Sequence, residues 1–184
     1  MRRFAVLIAV CVLCPGLEAT VLLPAEFRQV VSGSQIIAYG RVVDVTPEWA
    51  DGRKRIDSLV TFEVGTYLKG NSDQTITFRV PGGQLGAYRS VMIGAPVFAP
   101  GDEAVLFFAV RGSRPHIFGL NQGVFRVRLD STTGRRMVVQ PALLARGDAP
   151  ELVIRGAAER RPEALESFAA RVRAVTAELA GGGQ

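Results

Sequence analysis

Thiols, histidine and lysine are nearly missing from this chain. Its 184 residues include two cysteines, one histidine and two lysines. That poverty removes most zinc, haem and iron–sulfur sites, which draw on several His or Cys ligands. There is no D-x-D-x-D-G calcium loop and no G-x-S-x-G nucleophile elbow. Charged residues make up only 21% against 48% hydrophobic, which excludes general disorder and supplies a packed core. The longest apolar run, Phe4 to Leu13, is about half of the ~20 residues a membrane-spanning helix needs.

That run opens what is present. Arg2 and Arg3 precede it, Pro15 and Gly16 break it, and Leu17-Glu18-Ala19 ends on a small residue. The pattern predicts a secretory signal peptide over 1–19, cleaved after Ala19, and a secreted or periplasmic protein. An uncleaved anchor would need a longer run. Lipidation at Cys11 or Cys14 would need a small residue where Val10 or Leu13 stands. Cleavage would remove both cysteines and leave residues 20–184 with no thiol to cross-link in an oxidising compartment. The net charge, +5 for the whole chain, is carried almost wholly by arginine.

The remaining pattern is mainly β. A short helix is expected over 24–34, ended by Gly33. A long strand follows over 35–46, with Ile37, Tyr39, Val43 and Val45 on one parity and Gly40 marking a bulge or bend. Residues 47–55 read as a polar hairpin loop turning at Asp51-Gly52. Alternation predicts strands over 57–69 and 74–80. The Gly- and Pro-rich segment 81–103 is mostly irregular, with a short strand near 88–93. Ala104 to Val110 reads as a strand buried on both faces. Strands are expected over 117–120, 123–129 and 136–140. Residues 141–161 form a linker, and 162–180 an amphipathic helix with Leu165, Phe168, Val172, Val175 and Leu179 on one stripe. Residues 20–140 are thus expected to form one β domain, a small closed barrel with helices at either end of the chain.

Particular stretches sharpen this. "IIAYGRVVDV" (36–45) and "SLVTFEVGTYLKG" (58–70) resemble the opening strands of a TIMP/netrin-like module, an OB-fold. "PGG" (81–83), "GAPVF" (94–98) and "PGDEAVLFF" (100–108) are similar to exported bacterial proteins of the same plan. The resemblance covers roughly residues 25–129. It implies a non-enzymatic module that binds proteins, a secreted protease among them. TIMP-type inhibitors place an N-terminal cysteine on the protease zinc; here the processed chain would start near Thr20 and has no cysteine.

Reactive groups are few. The lone His116 has no nucleophile motif beside it and reads as a barrel-surface or loop histidine with no catalytic role. Glu48 with Asp51, and Asp102 with Glu103, could serve a carboxylate-dependent hydrolase, but adjacent acids in turns are usually solvated. The "PGGQLG" loop (81–86), between Arg79 and Arg89, could cradle an anion, although it lacks the Lys-Ser/Thr of a P-loop. Between Ala104 and Arg136 lie Arg111, Arg114, Arg126, Arg128, Arg135 and Arg136 against one acid, Asp130. Such a basic face suits an acidic protein, polysaccharide or lipid head groups. Export argues against nucleic acid. Trp49 is a candidate anchor in the 47–55 loop.

The expectation is therefore an exported OB-like binding module with no catalytic residues, cofactor or metal. Its binding residues are Trp49, Arg79, Arg89, Arg111, Arg126 and Arg128. A hydrolase would instead show a cleft of converging acids with a raised carboxylate pKa. A structural envelope component would show an exposed apolar stripe at 165–179.

Overall fold

The structure is a computed structural model, and residues 25–141 and 162–182 are described. The stretch expected as a signal peptide (1–19) and most of that expected as a linker (141–161) lie outside the described residues. The chain is mainly β, with a short helix α1 (Phe27–Ser32) near its start and a longer helix α2 (Leu165–Gly181) near its end. The strands are β1 (Ile36–Ala50), β2 (Arg55–Lys69), β3 (Thr75–Pro81), β4 (Gly83–Leu85), β5 (Tyr88–Ser90), β6 (Glu103–Arg111), β7 (Arg114–Ile117), β8 (Val124–Leu129), β9 (Arg136–Val139) and β10 (Glu163–Ala164).

One antiparallel sheet runs β10-β9-β8-β6-β1-β2-β3, with β7 also paired to β6; β4 and β5 form a separate hairpin. The sheet curls until β3 lies near β7. No ladder joins those two strands, so the sheet is not closed by hydrogen bonds among the described residues.

Alternation along β6 explains where the core sits. Ala104, Val105, Leu106, Phe107 and Phe108 are all fully buried because the sheet is covered on both sides. Ala104, Leu106 and Phe108 meet Val60, Phe62, Ile76, Phe78 and Val80 on the inner face of the curl. Val105 and Phe107 meet Val30 and Val31 of α1 and Phe168 and Val172 of α2 on the other face. The apolar stripe of α2 is therefore core cover: Phe168 and Val172 have no exposed surface. Phe27, Phe107, Phe125 and Phe168 add edge and tilted ring contacts at 4.8–6.3 Å.

Several sequence boundaries need correction. The first strand does not stop at residue 46. β1 runs to Ala50 and β2 starts at Arg55, so Trp49 is a strand residue opposite Ile56. A tight turn at 51–54 suffices, with positive φ at Asp51, Gly52 and Arg53 and Lys54 N donating to Ala50 O at 3.2 Å. The shared parity of Ile37, Tyr39, Val43 and Val45 also fails. Register shifts fall at Ile37/Ala38, Tyr39/Gly40 and Val42/Asp44. Ile37 and Tyr39 consequently pack beside the helices, Val45 packs inside the curl, and Val43 is exposed. Gly40 sits in this irregular stretch as expected, because a Cβ there would lie 2.0 Å from the Glu63 carbonyl oxygen.

Farther along, β7 covers 114–117 instead of 117–120. The chain turns at Phe118–Leu120, where Leu120 has positive φ. Glu163 and Ala164 pair with Val138 and Met137 before α2 begins, so Pro162 precedes a short strand, not the helix. Glu163 then holds Arg171 at 2.6 Å.

Candidate binding surface

The far end of the β1–β2 ribbon carries the surface features. β4 and β5 fold back onto it: a Cβ on Gly83 would touch Ile56, Ser58 and Pro47, and the Trp49 and Tyr88 rings meet edge-to-face at 5.4 Å. Beyond β5, residues 91–102 return to β6 without regular structure. Between this return and the end of β3 lies a cleft of about 340 Å³. Apolar Val80, Met92, Ala95 and Phe98 line it together with Ser58, Ser90 and Arg89; no Asp, Glu or His does.

Arg126 fixes the return segment. Its Nη1 donates to Asp102 Oδ2 at 2.8 Å, its Nη2 bonds the Val97 carbonyl, and its guanidinium carbon lies 5.4 Å from the centre of the Phe98 ring. Asp102 also accepts from Ala99 N at 3.0 Å. A cation satisfied three ways is a clamp on the loop, with little left for a partner.

The sequence-derived residues do not converge. Trp49 is half-buried in β1. Arg79, exposed on β3, contacts Glu48 Oε1 at 2.9 Å. That contact is an ion pair without hydrogen-bond alignment, so the shielded Oε1 makes no hydrogen bond. Arg89 alone of the six lines the cleft. Arg126 and Arg128 lie on the same side of β8 as Ala104, by the β6–β8 register. Arg111 shares the parity of Val105 and Phe107 on β6, and Arg136 pairs with Leu129, so both belong to the opposite face. The arginines of 104–136 are thus divided between two faces and form no single basic patch.

Glu103, expected as solvated surface, is instead a hub on the helix-covered side. Its carboxylate accepts from Tyr39 Oη at 2.7 Å, Arg41 Nη2 at 2.9 Å and Arg136 Nε at 3.1 Å. Burial raises its pKa, but the three donors outweigh that and hold it below its ordinary value. Burial and the bond to Glu103 push the Tyr39 hydroxyl up to about 12. No three His, Cys, Asp or Glu side chains among the described residues group closely enough to hold a metal ion.

What sequence reasoning missed is the apolar exposure beside the cleft. Tyr88, Val91, Met92, Ile93 and Val97 are 65, 71, 43, 96 and 82% exposed within ten residues. The signal was present in "VMIGAPV" (91–97), an apolar stretch with no polar alternation that Gly94 and Pro96 keep from being a regular strand. No family model matches the chain, and no curated protein or solved structure matches it.

Proposed function

We propose that this chain is an exported, non-enzymatic binding module of TIMP/netrin-like type, an OB-like barrel whose cleft between β3 and residues 91–98 receives a segment of a protein partner. The observation that carries this reading is the lining of the cleft. It offers apolar walls, two hydroxyls, the Gln84 carboxamide and one guanidinium, and no Asp, Glu or His that could activate either serine. The curled antiparallel sheet and its bulged first strand support the barrel reading. Arg89 is exposed and has no ion-pair partner among the described residues, so it suits a partner carrying an acidic group. The family resemblance makes a secreted protease the partner class to test first.

The test is capture from the exported protein fraction by the chain beginning at Thr20, repeated with Arg89→Glu, followed by reconstitution with the purified partner. The partner should bind directly, and the charge reversal should weaken it by roughly tenfold or more. Failure to reconstitute a direct complex, or a complex indifferent to Arg89→Glu, would reject the reading.

A further inference from the structure

The crest of the 91–97 loop combines apolar exposure with an unneutralised cationic setting. Ala95 N donates to Met92 O at 3.2 Å, closing a four-residue turn. Gly94 takes the positive φ, 85°, that the third place of a type II turn requires. This geometry puts Ile93 at the outer corner, with Val91 and Val97 on either side.

Ion pairing sets the charge around the crest. Within residues 47–58 and 79–102 the acids are Glu48, Asp51, Asp57 and Asp102. Each is held by an arginine: Arg79 on Glu48, Arg55 on both Asp51 and Asp57, and Arg126 on Asp102. Arg53 and Lys54 at the ribbon tip, and Arg89 on β5, are exposed with no ion-pair partner among the described residues. Trp49, beside the ribbon tip in sequence, meets Tyr88, three residues before Val91, edge-to-face at 5.4 Å, and such amphipathic rings favour the head-group level of a bilayer.

We propose that this end of the molecule seats in the surface of an anionic lipid bilayer, with Val91, Ile93 and Val97 at the acyl boundary and Arg53, Lys54 and Arg89 on the head groups. Stable seating of a peripheral protein takes both an apolar and a cationic signal, and both occur here. A protein partner would ordinarily bury about 800 Å² of this chain against a shaped surface, whereas acyl chains accept a narrow aliphatic turn of any outline. The proposal goes beyond the protein-binding reading and does not depend on it, but Arg89, Val91 and Val97 also line the cleft, so a protein partner and a bilayer would compete for them.

Co-sedimentation tests it with the chain beginning at Thr20, vesicles of phosphatidylglycerol and phosphatidylethanolamine in equal parts, and vesicles of phosphatidylcholine alone. The protein should partition onto the anionic vesicles, less so as salt rises. Ile93→Asn with Val97→Asn should lower that partition by roughly tenfold or more. Arg53→Glu with Lys54→Glu should abolish the preference for anionic lipid. All four side chains are exposed, and unchanged melting of the variants will confirm intact folds. Wild type remaining in the supernatant would overturn the proposal. So would partition insensitive to the asparagine pair, which is adsorption by charge alone. An Ile93-dependent complex with a protein, in wild type that ignores vesicles, would reassign the crest to protein docking. Capture of a partner in the absence of lipid reports separately on the cleft.

Discussion

The Tyr39 hydroxyl donates to Glu103 Oε2 at 2.7 Å across the β1–β6 seam, where Tyr39 faces Val105 and Arg41 faces Glu103 in register. Arg136 reaches the same carboxylate from β9, so one side chain ties three strands. Glu103 has a depressed folded-state pKa. Its stabilising contribution is therefore complete above its ordinary value of 4.5 and is lost as pH falls through the folded value. Tyr39 has a raised one; its contribution is complete below pH 10 and is lost as pH climbs toward about 12. Glu103→Gln should cost about 1–3 kcal/mol at neutral pH and flatten the acid limb of the stability profile. It should also return the Tyr39 titration toward 10. Denaturant midpoints against pH and an ultraviolet tyrosinate titration check both.

Arg126 is a clamp, so its removal should loosen the return segment more than the fold. Arg126→Ala leaves Asp102 without its cation and Phe98 without its cover, at a cost of about 1–2 kcal/mol. Hydrogen exchange should speed up at Ala99 and Gly101 while the amides of β6 keep their protection. Equal acceleration in both places would contradict this.

Gly40 is where two backbones crowd. A methyl group there meets the Glu63 carbonyl oxygen at 2.0 Å and the Phe62 ring at 3.0 Å. Gly40→Ala should therefore destabilise by about 1–3 kcal/mol, because rigid backbone must move. The same change at Gly52, at the open ribbon tip, meets no atom within 4 Å and is strained only by its φ of +64°. The smaller loss in denaturant midpoint should be at Gly52.

Much of the sheet was legible because alternation is local. Ile76, Phe78 and Val80 are buried as their spacing demands, and the unbroken run at 104–108 is buried on both faces. The helix at 165–181 was legible from one stripe. β1 was misread beyond Gly40 because the bulged Val43 reverses parity, and nothing in its neighbours announces the reversal. The site was harder still. Arg126 sits at an alternating polar position, and only the fold of residues 97–102 over it turns an outward cation into an internal brace. "YRSVMI" (88–93) has strand composition, yet the turn at Gly94 and the lack of a pairing partner beyond Ser90 leave its last residues in solvent.

β6 lies between β1 and β8, with β7 also paired to its far end, and fills the middle of both cores. Its partner Ile36 is separated from Phe108 by some seventy residues of chain. Little of the interior can consolidate until synthesis has passed that point, and closure over so long a loop is slow. Refolding should be governed by the docking of this one segment, with the β1–β2 ribbon waiting, only partly sheltered, for its other half.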